Sequence, residues 1–144
     1  MSIYRKILLV VDLTEDSELI GTRAKAVASA FDSQIEILHV VEYVPVEPMG
    51  EALLPAVQVE DELVERAKQR LAELAAKLDL SHCPQMIETG NIKGEIVRIA
   101  KERNANLIVM GSRERHGLAI LLNFTEDTIL HEACCDVLAV RLKR

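Results

Sequence analysis

Two stretches of this chain carry residue types suited to holding an anionic ligand. Asp12 closes the apolar run Lys6–Asp12 (KILLVVD). A carboxylate at a strand end can accept from a ribose hydroxyl, and it can equally cap the helix that follows. The second stretch is Gly111–Thr125 (GSRERHGLAILLNFT), directly behind the apolar run Leu107–Met110. A glycine there lets backbone amides approach phosphates, and a helix start favours anions. Ser112 and Thr125 add hydroxyl donors and Arg113 adds a cation. Val41, ending a second apolar run, suits the wall of a base pocket or the core.

The remaining chemistry-bearing residues read as structural. His131, Cys134 and Cys135 (HEACC) are close in sequence, but adjacent cysteines cannot readily face one ion, so no metal site is expected. They also form only a strained bridge, which argues against a redox pair. His82-Cys83 precedes Pro84 in a loop, and His39 lies in a buried strand as a hydrogen-bonded core histidine. His116 shares the phosphate-like loop. No catalytic residue is assigned, because triads are defined by geometry and not by order in the chain.

The elements that must position these residues follow from periodicity. Lys6–Asp12 reads as a buried strand, and Thr14 and Asp16 supply helix-start oxygens. A helix over about Ser17 to Phe31 is expected to turn Leu19, Ala24, Val27, Ala28 and Phe31 inward, and Gln34–Val41 is the second strand. Glu42–Gln58 contains Pro45, Pro48, Gly50 and Pro55 and reads as a long connector, a flap or mobile loop. An amphipathic helix follows over about Val59 to Leu78, with Leu63, Ala67, Leu71, Leu74 and Leu78 on one side. Gln85–Glu88 is a weak peripheral strand. A helix then runs to about Asn104, Leu107–Met110 is a buried strand ended by Gly111, a helix spans Thr125–Ala133, and Val137–Leu142 is the last strand.

Strands alternating with helices imply an α/β fold: a doubly wound, five-stranded parallel sheet with helices on both faces. Right-handed crossovers and the weak third strand favour the order 3-2-1-4-5. The winding then reverses between strands one and four, so Asp12 and Gly111 fall on one crevice at the strands' carboxyl ends.

Bulk properties narrow the class. The 144 residues fit one domain, 1–144, with 49% hydrophobic and 28% charged residues. With two Phe, two Tyr and no Trp, the core must be aliphatic. A net charge of −6 disfavours nucleic-acid backbones as partners. No apolar run is long enough to span a membrane, and there is no leader pattern or disulfide framework, so a cytoplasmic location is expected.

The chain resembles the universal stress protein family over essentially its whole length. KILLVVDLTEDS, LHVV, NLIVMGSR and CDVLAVR carry the resemblance. Nucleotide-binding members have a loop G-x2-G-x9-G-[ST] after the fourth strand. Here Gly111 and Thr125 match, while Glu114 and Phe124 replace the second and third glycines. Glu114 puts a carboxylate where phosphates would lie, and Phe124 puts bulk where backbone must come close. The chain is therefore similar to the branch without an intact ATP loop. That resemblance implies a stress-response protein without a catalytic step, acting as a homodimer through contacts with as yet unknown protein partners. Val137–Leu142, an apolar strand at a sheet edge, suits pairing with a second copy, although Lys143 and Arg144 could instead guard it. The alternative is an ATP- or AMP-binding regulator using Asp12, Val41, Gly111, Ser112, Arg113 and Thr125.

Overall fold

The structure is a computed structural model and describes residues 3–42, 53–113 and 129–142; residues 53–59 and 113 are described by their backbone alone. Five strands form one parallel sheet in the order β3-β2-β1-β4-β5, the expected doubly wound arrangement. The strands are β1 (Lys6–Val10), β2 (Gln34–Glu42), β3 (Gln85–Gly90), β4 (Leu107–Arg113) and β5 (Asp136–Leu142). The helices between them are α1 (Ser17–Phe31), α2 (Leu53–Lys77) and α3 (Ile92–Glu102).

The reversal of winding sorts the helices. Connections β1-α1-β2 and β2-α2-β3 step one way across the sheet, so right-handed crossovers place α1 and α2 on one face. The connection through α3 steps the other way and puts that helix on the opposite face. Side chains alternate accordingly. Ile7, Leu9, Ile37 and Val109 join Ile20, Ala24 and Leu71 in the core under α1 and α2. Leu8, Leu38, Ile108 and Met110 join Ile96, Ile99 and Ile129 in the core under α3 and the helical residues 129–132. The central strands thus need apolar residues at every position, which is why KILLV and LIVM read as continuous runs. Each fully buried Ile or Leu contributes roughly 1.5–3 kcal/mol relative to exposure.

Several boundaries and faces differ from the sequence expectations. α2 begins at Leu53 instead of Val59, because Pro55 falls in its first turn, where a missing N–H costs no intrahelical bond. Of the residues expected on the inner face of α1, Leu19 and Phe31 are 42% and 38% exposed, and Ile20 and Gly21 are buried in their place. Gly21 lets α1 and the end of α2 close up: a Cβ there would come 2.3 Å from a methyl of Leu78. Leu63 is likewise largely exposed, while Ala67, Leu71 and Leu78 are buried as expected. β3 is a half-buried edge strand, in keeping with its weak pattern.

The fourth strand carries a correction that bears on the site. It does not end at Met110: Gly111, Ser112 and Arg113 continue the ladder, opposite Val140, Arg141 and Leu142 of β5. Gly111 is therefore a strand residue, not the first residue of a loop.

Candidate functional site

The crevice is made by strands parting. The last β1–β4 pair is Leu9 with Val109, whereas β1 stays with β2 to Val10 and β4 stays with β5 to Arg113. The main-chain N–H of Val11 still donates to Leu38, at 3.0 Å. Beyond Leu9 the sheet therefore opens between its two central strands, at the point where the winding reverses. Asp12 lies on one lip and Ser112 on the other.

The lip that follows β1 is tightly held. Asp12 Oδ1 accepts from the Thr14 main-chain N–H at 3.1 Å, the Thr14 hydroxyl at 2.7 Å and the Ser17 hydroxyl at 3.0 Å. Ser17, 1% exposed, is the first residue of α1, so this carboxylate anchors the helix start. Asp16 occupies the N-cap position without a side-chain capping bond. Asp12 is thus a turn residue through the Thr14 N–H and is tied to α1 through the Ser17 hydroxyl, while Asp16 makes no side-chain capping bond. Leu13 adopts a left-handed backbone at φ 61, a conformation a branched side chain rarely takes. Arg70 of α2 fastens that residue by donating to its carbonyl oxygen.

His39 completes the support. Its Nδ1 is 2.8 Å from the carbonyl oxygen of Val11. A carbonyl only accepts, so Nδ1 carries the hydrogen and the neutral ring keeps Nε2 as its acceptor. Burial pushes the imidazole below its ordinary value; the bond to Val11 and the charge of Asp12 oppose this, and Arg70 reinforces it. The ring is a structural post under the lip, as expected for a core histidine. Sequence reasoning missed Arg70 altogether. It sits on an exposed-looking helix with nothing nearby in sequence to mark it.

Among the other expected site residues, Val41 is 9% exposed and packs in the core under α1 and α2, as its core role requires. Gly111 has an ordinary strand backbone, and side-chain tips crowd its Cα. A Cβ would stand 2.7 Å from Ile20 Cδ1 and 2.9 Å from Leu142 Cδ1. Ser112 is half-buried opposite Arg141, and the backbone of Arg113 lies opposite Leu142. Thr125, with Glu114, His116 and Phe124, lies outside the described residues. A smaller cavity of about 230 Å³ opens between the lip and α2, where Arg70 and Lys77 face Glu15, Glu18 and Glu73. Its charges are mixed, which does not select an anion.

Cys135 is half-buried, and its thiol is pushed up to about 11 by burial, with Cys134 and Asp136 adding to it. It stays protonated at neutral pH, the form that neither attacks nor binds metal. No group of three His, Cys, Asp or Glu residues suited to a metal occurs among the described residues. Nor, among them, is any helix long and apolar enough to cross a membrane.

The decisive comparison is at the level of the whole chain. Residues 3–141 match the universal stress protein family. The chain belongs to that family. Universal stress protein A homolog 2 of Coxiella burnetii is 39% identical over 99% of both chains. Among solved structures, that of the hypothetical protein MJ0577 covers 99% of both chains with a TM-score of 0.80 at 23% identity. A universal stress protein in complex with cAMP covers 96% of this chain and 98% of its own, with a TM-score of 0.72 at 19% identity. At those identities the two structures establish a shared fold for this family member.

Proposed function

We infer that this universal stress protein, taken as one unit over 1–144, is a non-enzymatic cytoplasmic stress-response protein. It acts as a homodimer and keeps the crevice between Asp12 and Ser112 as a degenerate nucleotide site. The observation that carries the reading is the commitment of Asp12. Oδ1, one of its two carboxylate oxygens, already accepts from Thr14 and Ser17, which reduces what Asp12 can offer a ribose. Displacing those bonds subtracts from any gain a nucleotide brings. Glu114 and Phe124, in the positions of two loop glycines, act in the same direction.

The dimer reading rests on β5. It is the last strand of the sheet, Asp136, Ala139 and Arg141 on it are exposed, and Leu130 just before it is 57% exposed. An apolar strand at an edge is stabilised by pairing with a second copy.

The second reading, an ATP- or AMP-binding regulator, is favoured by the open crevice at the reversal of winding. The cAMP complex of a protein with the same fold also supports it. Calorimetry with ATP, ADP, AMP and cAMP separates the two, together with sedimentation equilibrium across a wide concentration range. The leading reading expects a dimer and no heat at millimolar nucleotide. A monomer at every concentration defeats it, and saturable heat with a nucleotide establishes the second.

A further inference from the structure

Three consecutive residues of the lip are each held from a different direction. The Val11 carbonyl accepts from His39 of β2, the Asp12 carboxylate from Thr14 and Ser17, and the Leu13 carbonyl from Arg70 of α2. Leu13 is the strained member. Its φ of 61 is left-handed, while its side chain is buried in the core under α1 and α2. A branched residue keeps that backbone only where its surroundings enforce it. Arg70 supplies part of that enforcement, and it has other partners within reach. Its side chain is exposed and shares the cavity beside the lip with Glu15, Glu18 and Glu73.

His39 stands on the same side of the sheet as Arg70. Ile37 and Val41, two residues to either side of it on β2, both point into the core under α1 and α2, so the imidazole does too. Two charges act on the ring, Asp12 from the lip and Arg70 from α2; opposite it on β3 is the uncharged Ile87. A proton entering at Nε2 leaves the Nδ1–H bond to Val11 intact. It places a full positive charge in the field of Arg70, in half-buried surroundings that screen it poorly. Asp12 attracts that charge but stays tied to Thr14 and Ser17. Arg70 is repelled, and a neutral carbonyl holds it less strongly than a carboxylate would.

We propose that His39 and Arg70 form a proton-operated latch on the crevice lip. Proton uptake by His39 drives the Arg70 guanidinium from the Leu13 carbonyl toward the carboxylates of the adjoining cavity; Leu13 then relaxes and the lip shifts. Burial favours the neutral ring, so the latch is closed at pH 7 and opens in acid. Control of a crevice ligand by this device rests on the reading of the crevice as a binding site; the latch itself does not.

The test is an NMR titration of the labelled full chain from pH 7.5 to 5, with no nucleotide present. In the parent, the Leu13 Cα resonance, which reports its backbone angle, and the Arg70 Nε resonance are expected to shift with the midpoint of the His39 ring. Arg70→Gln removes the latch at every pH. Its Leu13 Cα is expected at pH 7.5 to stand where the parent arrives only in acid, and its His39 midpoint to move up, because a positive neighbour is gone. His39→Gln keeps a donor for Val11 but takes up no proton, so its Leu13 Cα is expected to stay at the parent's pH 7.5 position down to pH 5. Three results overturn the proposal: a parent Leu13 that does not follow His39, an Arg70→Gln Leu13 unchanged from the parent at pH 7.5, or a His39→Gln Leu13 that still titrates. Since no ligand is used, failure here leaves the reading of the crevice standing, and failure of nucleotide binding leaves the latch standing.

Discussion

His39 Nδ1 stands 2.8 Å from the main-chain oxygen of Val11, so a side chain of β2 holds the segment where β1 leaves the sheet. That one bond joins β2, the neighbour of β1, to the lip of the crevice. It also makes the lip sensitive to acid. Burial lowers the imidazole pKa in the folded chain from an ordinary 6.5. The neutral ring is therefore favoured by folding, and its contribution is complete above about 6.5 and is lost as pH falls through the lower folded value. Urea midpoints measured from pH 7.5 to 5 are expected to fall more steeply for the parent than for His39→Leu. Equal slopes would remove His39 from this role.

Asp12 predicts a difference between two substitutions. Asp12→Ala leaves the buried Ser17 hydroxyl and the Thr14 N–H without their acceptor, at a cost of about 1–2 kcal/mol. Asp12→Asn keeps an oxygen in place and is expected to recover most of that loss. Chemical denaturation at pH 7 measures both. If the two variants are equally destabilised, the anchoring of α1 runs through charge and not through the Oδ1 acceptor.

Gly111 predicts a coupling. An alanine there presses on the tips of Ile20 and Leu142, which are flexible ends, so Gly111→Ala is expected to cost about 1 kcal/mol. Ile20→Val removes the atom lying 2.7 Å from the added Cβ. The double variant should therefore be more stable than the sum of the single effects implies. Additive effects would mean that Gly111 is needed for something other than room under α1.

Glu36 predicts acid dependence of the opposite corner of the sheet. Burial would raise its carboxyl pKa, but the bonds from Arg103 and Lys6 outweigh burial and hold it below the ordinary 4.5. Its stabilisation is thus present above about 4.5 and disappears as pH falls through the lowered value. Glu36→Gln is expected to cost about 2 kcal/mol at pH 7, less than a fully buried pair because both cations reach solvent. The gap between parent and variant should close in acid, as followed by thermal melts from pH 7 to 3.

What the chain determined locally was the set of elements and their order. The continuous apolar runs at Ile7 to Val10 and Leu107 to Met110, short and rich in β-branched residues, read as strands covered on both faces, and a parallel sheet built from such units has few allowed windings. The crevice followed from that winding, and the family resemblance lay in contiguous residues. Facing directions were less legible. Leu19, Phe31 and Leu63 have helical spacing, yet which side of a helix is buried depends on what packs against it, and Gly21 against Leu78 tilts that choice.

Only the tertiary structure decided the bonds that give the site its character. Arg70 reaches Leu13 across 57 residues, Arg103 reaches Glu36 across 67, and His39 reaches Val11 across 28. Such pairings arise from where the elements dock, and no local pattern of residue types encodes them. The same holds for Gly111. Its position after a buried strand suggests a phosphate loop. Only the docked α1 and β5 show that the tips of Ile20 and Leu142 stand where its Cβ would be.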